Sequence, residues 1–146
     1  MKDLLLPRFY VLVQLLSLLY FMLSAPVVAS SYEALFIEAA GLALGIIAIL
    51  QMKPGNFNIT PVPRQNGILI SHGIYRIIRH PMYLAQLLVV LALVIDYFSW
   101  IRLAVFMLLL INLIFKLHYE ERKLIRHFDG YAAYSAKNWK LIPYVF

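Results

Sequence analysis

The chain has 146 residues, with 13 Lys and Arg against 7 Asp and Glu, a formal net charge of +6, and no cysteine. With 63% hydrophobic and only 14% charged residues, and a mean hydropathy of +0.80, it is too apolar for a soluble domain, which is about half apolar and a quarter charged. The missing cysteines exclude disulfides, thiolate metal sites and a cysteine nucleophile, and in so apolar a chain the excess positive charge fits anionic lipid head groups better than nucleic acid.

The expected fold is therefore all-α, an integral membrane bundle of about four helices forming one domain over residues 1–146. The first apolar run, Phe9 to Val28, is long enough for a bilayer core, which needs ~20 helical residues. It follows Lys2 and Arg8, but it is too long and uniform for a signal peptide and is taken as a retained span. Pro26 lies near its far end, and Gln14 is expected at an interface or a helix contact. After a turn at Ser30 to Glu33, Ala34 to Met52 makes the second span. Gly41 and Gly45 there form a small-xxx-small face that admits another helix closely. Glu38 is expected to be snorkelling or paired.

Lys53 to Ser71 is the largest connection, and Pro54-Gly55, Pro61 and Pro63 exclude a continuous helix through it. His72 to Pro81 follows as a short interfacial segment, with Pro81 suited to the first turn of the next helix. Met82 to Ile95 is a short third span, Asp96 to Ser99 a tight turn, and Trp100 an interface anchor. Ile101 to Leu117 is the fourth span, continuing as helix to about His127. Beyond it Tyr119, Leu124, Phe128 and Tyr131 keep helical spacing, as if lying along the membrane. Asp129-Gly130 is a stop signal, and Leu141-Ile142-Pro143 closes the chain as an extended tail.

Basic residues gather in the central connection, at the N-terminus and after the last span, while the two opposite loops hold Glu33, Asp96 and Arg102. The positive-inside rule then places both termini in the cytoplasm. It also brings two polar clusters to one face: the stretch from Gly73 to Tyr83, which holds Arg76, Arg79, His80 and two tyrosines, and His118-Tyr119-Glu120-Glu121-Arg122. Guanidiniums, imidazoles, phenols and paired carboxylates together suit a cofactor carrying both signs of charge, such as S-adenosylmethionine. Its sulfonium is already a methyl donor, so the protein need mainly align the reactants and exclude water.

Each residue also has a plainer role. Arg76 and Arg79 can bind head groups, His80 can cap a helix, and Glu120 and Glu121 can form a solvated face beside Lys116 and Lys123. Lys116 and Asn112 lie one turn apart on the last span, where either could reach a buried polar pocket, though snorkelling is the more usual behaviour of Lys116. The spacings of His72, His80, His118 and His127 match no standard metal site, and no metal is expected.

Gly73-x-Tyr75-Arg76-x-x-Arg79-His80-Pro81-x-Tyr83, then Glu120-Glu121-x-x-Leu124, Phe128-x-Gly130-Tyr131-x-x-Tyr134 and Ile142-Pro143 resembles the isoprenylcysteine carboxyl methyltransferase family. That family lies in a wider group of small membrane methyltransferases that includes phospholipid N-methyltransferases. The resemblance covers roughly residues 40–146, with the core motifs in 72–146. It implies a multi-pass enzyme binding S-adenosylmethionine at the cytoplasmic face, and its short bacterial-type members imply a bacterial inner membrane. It also implies that His80 and Tyr83 line the cofactor pocket, with backbone help around Pro81 and Leu84, and that Glu120 and Glu121 hold the cofactor's polar groups. Tyr75, Arg79 and His118 complete the cofactor-binding set, and Glu120, Glu121 and Lys140 are the catalytic candidates, with Glu121 favoured as the pocket acid. A lipophilic small molecule or lipid would enter sideways from the bilayer, among membrane lipids and without nucleic acid. The chain departs from the pattern at Ile74, Ala85, an inserted Asp129, and Lys140 in place of a common arginine, and Lys is no equivalent of Arg at a bidentate site.

The acceptor is a carboxylate, a thiol or an amine. A protonated amine needs a general base, for which Glu120, Glu121 or a histidine is the candidate. Two alternatives stand beside this reading. One is an NADPH-dependent membrane reductase of the sterol reductase type, whose HPNY-x-G-E motif meets Met82 and Ala85-Gln86 here. The other is a non-enzymatic membrane scaffold.

Overall fold

A computed structural model describes residues 2–24, 26–52 and 67–146, with side chains from Leu5 onward. The bulk of the connection expected after Lys53 lies outside the described residues. Helix α1 is Lys2–Ser24, α2 Tyr32–Gln51, α3 Pro81–Asp96, α4 Trp100–His127 and α5 Tyr131–Ser135, with a single 3-10 turn at Gly73–Arg76 ahead of α3. Three of them, α1, α2 and α4, are long and apolar enough to cross a bilayer, and α3 is a shorter apolar helix. Its 16 residues span about 24 Å, less than a hydrocarbon core of about 30 Å. The architecture is a membrane helical bundle.

The boundaries correct the expectation most at α1, which starts ahead of Phe9 and stops at Ser24, before Pro26. Proline lacks the N–H for the helical ladder and its ring clashes with the preceding turn, so Val27 and Val28 fall outside. Ser31 and Ser99 cap α2 and α4 by accepting from Ala34 N–H and Arg102 N–H. Pro81 opens α3 as expected.

Packing follows the small and apolar faces. Helix α2 lies closely on α3, and a Cβ on Gly41 would come within 3.0 Å of Ala85 O, Leu88 Cβ and Val89 Cγ2. Helix α1 packs chiefly on α4. The core between α1, α3 and α4 is Phe21, Leu87, Val90, Leu93, Val94, Leu109 and Leu113. Leu12, Leu15, Leu16 and Leu19 of α1 face outward, as lipid-facing residues do.

At one end of the bundle, charged side chains tie the interhelical loops. Asp96 accepts from Ser30 N at 2.5 Å and Ser31 N at 3.1 Å. Glu38, buried, accepts from Ala29 N at 2.8 Å, so it is paired and not snorkelling. Arg102 is buried and donates to the carbonyls of Leu93 and Tyr97 at 3.1 and 3.2 Å and to Ser24 Oγ at 3.3 Å.

The opposite end holds the motif segment. Gly73 has φ +59, a backbone conformation that favours glycine, and a Cβ there would push the end of the Gln51 side chain aside. That Gln51 amide oxygen accepts from Ile74 N at 2.7 Å. Residues 77–80 then pair with the C-terminal segment: Trp139 N donates to Ile77 O, Arg79 N to Trp139 O and His80 N to Lys140 O, at 3.0, 2.8 and 3.1 Å.

Helix α4 ends at His127, just ahead of Asp129-Gly130 as expected, with Phe128 as its cap and Gly130 at φ −84. Two other expectations for the C-terminal part fail. Tyr119, buried, faces Tyr10 of α1, and Tyr131, also buried, belongs to a separate helix. These aromatics do not form one membrane-lying stripe. The tail after Leu141 curls instead of extending, because Phe146 O accepts from Leu141 N and Ile142 N at 2.9 and 3.0 Å.

Candidate functional site

The two clusters meet where the start of α3 faces the last turns of α4. His80 is buried between the carboxylates, its Nε2 3.4 Å from Glu121 Oε1 and its Nδ1 3.9 Å from Glu120 Oε2. Its imidazole stacks on the Tyr83 ring, with centroids 5.4 Å apart and planes 6° off parallel. Tyr83 donates its hydroxyl to Glu120 Oε2 at 2.6 Å. Pro81 is fully buried and Leu84 half-buried on the same helix start.

Glu121 is the more buried acid and turns toward a basic neighbour, Arg79, whose Nε lies 2.6 Å from Oε1. Arg79 also donates to Ser135 O at 2.7 Å and to Asn138 O. It thus joins α4, the motif segment and the C-terminal segment through donors set in a rigid fork. Tyr75 likewise serves the frame: buried, it donates to Ala48 O at the end of α2 at 3.2 Å, and its own carbonyl accepts from Tyr134 at 2.5 Å and Asn138 at 3.2 Å. His118 lies 2.7 Å from Ile114 O through Nδ1 and 3.3 Å from Lys140 Nζ through Nε2. Lys140 Nζ is 3.9 Å from Glu121 Oε2 and 4.8 Å from the Phe146 ring centroid. Every residue of the expected set thus lies at this end, though Tyr75 and Arg79 are engaged by protein groups.

The tyrosines around the cluster remain hydroxyl donors. Burial pushes the Tyr134 phenol up to about 12, and Tyr75 and Tyr131 are raised too, each first by burial. The Glu121 and Glu120 charges add to the effect at Tyr131, while Arg79 opposes it. Tyr131 is almost fully buried, and its hydroxyl has no hydrogen-bond partner among the described residues. A buried donor left unbonded costs free energy, so this hydroxyl is suited to a ligand atom. A separate surface cleft of about 550 Å³, lined by Ser71, Arg76, Ala133, Tyr134, Lys137 and Asn138, touches none of His80, Tyr83, Glu120 or Glu121.

Polar residues of α1, α3 and α4 extend this network deeper into the bundle. Gln14 donates to Gln86 Oε1 at 2.7 Å and accepts from Lys116 Nζ at 2.6 Å. Lys116 is 2% exposed and lies 5.1 Å from the Tyr83 ring centroid, so it does not snorkel. Asn112 donates to Tyr10 O at 3.0 Å. The signal for all of them was a polar residue at membrane depth, which is costly and marks function by default.

A family model described as phospholipid methyltransferase matches residues 12–130. The match runs through both polar clusters and most of α1, while Tyr131, Lys140 and the closing Ile142-Pro143 lie beyond it. None of the curated proteins matches the chain. The wider group named by the motif resemblance is the one found, through its phospholipid branch, and the chain belongs to the phospholipid methyltransferase family, a family of membrane methyltransferases.

Proposed function

We propose that this chain transfers a methyl group from S-adenosylmethionine to the amine of a membrane lipid, at the end of the bundle where His80, Tyr83, Glu120 and Glu121 converge. The observation that carries the reading is this convergence: two adjacent carboxylates face one imidazole from a segment some forty residues away, within a methyltransferase family. The residues fit the cofactor's chemistry. Carboxylates suit its ammonium and ribose hydroxyls, stacked His80 and Tyr83 suit its adenine, and the Tyr131 hydroxyl, unbonded among the described residues, suits an acceptor atom such as its carboxylate. When bound, S-adenosylmethionine supplies an activated methyl on a sulfonium sulfur.

The chain's own residues divide the remaining work. Glu121 fixes Arg79 and His80, so Arg79 and Tyr75 act as positioning residues. Glu120 is half-buried and held by Tyr83. It is the base that takes the proton from an acceptor ammonium at its carboxylate oxygen, freeing the lone pair for the methyl carbon. Lys140 lies beside Glu121 and offsets carboxylate charge, with His118 Nε2 against its ammonium. The family match favours this chemistry over a reductase. The basic residues at the N-terminus, in the central connection and after α4 support a cytoplasmic location for this end, and the half-buried seam of α3 is the route proposed for a lipid from the bilayer.

The test is transfer of labelled methyl from S-adenosylmethionine into a lipid extract by the purified protein, with identification of the labelled species. A labelled amine-bearing phospholipid is expected. A labelled carboxyl ester or thioether would move the acceptor assignment, and no labelled lipid would overturn the reading.

A further inference from the structure

The polar network does not stop at the carboxylates. Asn112, Lys116 and Glu120 are spaced by four along α4, which places them on one face over about 12 Å. Lys116 lies one turn nearer the middle of the bundle than Glu120, where it donates to Gln14 of α1, which in turn donates to Gln86 of α3. The three side chains close the seam between α1 and α3, which otherwise touch at few positions. An ammonium and a carboxamide buried among apolar helices, with a second carboxamide half-buried beside them, are expensive in a bilayer.

The order of charge along α4 gives the ligand. A lipid entering from the cytoplasmic leaflet brings its tails first toward the bilayer middle, then its anionic phosphate ester, then its outermost amine. The protein offers the complement in the same order: apolar core, Lys116 with two amides, then Glu120 one turn above. The rise of one turn, about 5.4 Å, is comparable to the reach of a two-carbon linker. We propose that Gln14, Gln86 and Lys116 form a subsite for the phosphate ester of the acceptor lipid, entered through the α1–α3 seam, and that it sets the depth at which the amine meets Glu120. This rests on the methyltransferase reading for the identity of the ligand as acceptor, but the subsite is testable without turnover.

The experiment is native mass spectrometry of the full chain in maltoside micelles, with dioleoylphosphatidylethanolamine and dioleoylglycerol supplied together. The parent is expected to retain the phospholipid about tenfold over the neutral lipid, and Lys116→Met and Gln86→Leu to lose that preference, as removal of a charged hydrogen-bond partner implies. Methionine fills the lysine's aliphatic volume, so the first variant is expected to fold; Gln86 is half-buried, so the second tests the seam even where the first does not. Affinity for S-adenosylhomocysteine, measured by calorimetry on the Gln86→Leu sample, is expected to change less than about threefold. A parent without phospholipid preference, or folded variants that keep it, overturns the subsite. Displacement of the lipid by millimolar inorganic phosphate overturns the lipid as its source. A parent that binds phospholipid through Lys116 yet fails to bind S-adenosylhomocysteine leaves the subsite standing and removes the methyltransferase reading instead.

Discussion

At the loop end of the bundle, Asp96, Glu38 and Arg102 bond mainly to backbone groups of neighbouring turns and helix ends. At the motif end, His80, Glu120, Glu121 and Lys140 bond or lie close to one another, across stretches of chain far apart in sequence. Arg79 does both. The difference separates two uses of charge in an apolar chain. Where a charged group satisfies orphan N–H or C=O groups, it is consumed in closing a turn. Where acids, imidazole and amines face each other beside a buried hydroxyl without a partner among the described residues, the polar capacity exceeds what closing the fold uses, and that excess is the ground for the proposed site.

Substitutions at the two ends should therefore fail differently. The largest effect is expected for Arg79→Met, which leaves Glu121 buried without its guanidinium and frees the Ser135 and Asn138 carbonyls. Breaking such a pair costs about 3–5 kcal/mol, to be measured by reversible unfolding in mixed detergent micelles. The adjacent acids should then split. Glu121→Gln is expected to lose about 1.5–3 kcal/mol of stability, the range for hydrogen bonds to a charged group. Glu120→Gln should cost under about 1 kcal/mol of stability while methyl transfer falls by about 100-fold or more, as for loss of a general base. Equal losses of stability in the two variants would erase the division between them.

At the loop end, Arg102→Met should remove about 1–3 kcal/mol of stability with no change in cofactor affinity, because its bonds are to helix ends remote from Glu120. A matching loss of affinity would show that the two ends are coupled. The smallest effect is expected for Tyr131→Phe: no loss of stability, since the hydroxyl has no partner within the described residues, but about a tenfold weaker cofactor affinity, near 1.4 kcal/mol. Lost stability with unchanged affinity would make Tyr131 a frame residue.

Much of this architecture was legible in the chain. Long apolar runs predict membrane helices, Pro81 a helix start and Gly41 a close helix contact, because each follows from local sterics or solvent preference. The meeting of the two clusters was legible through charge bias alone. The partners within the site were not. Whether Glu121 faced Arg79 or solvent depended on the C-terminal segment pairing with residues 77–80, a nonlocal contact with no periodicity to announce it. Gln14 makes the helix contact expected of it, but Lys116 does not snorkel as single lysines usually do, and only the register of α1 against α4 shows that the two bond each other.

The central claim, that the motif end is built for S-adenosylmethionine, is tested most directly by isothermal titration of the detergent-solubilised parent with S-adenosylhomocysteine and, separately, with NADPH. Saturable binding of S-adenosylhomocysteine near one molecule per chain, weakened by Glu120→Gln and absent for NADPH, is expected. Binding of NADPH without binding of S-adenosylhomocysteine would contradict the account.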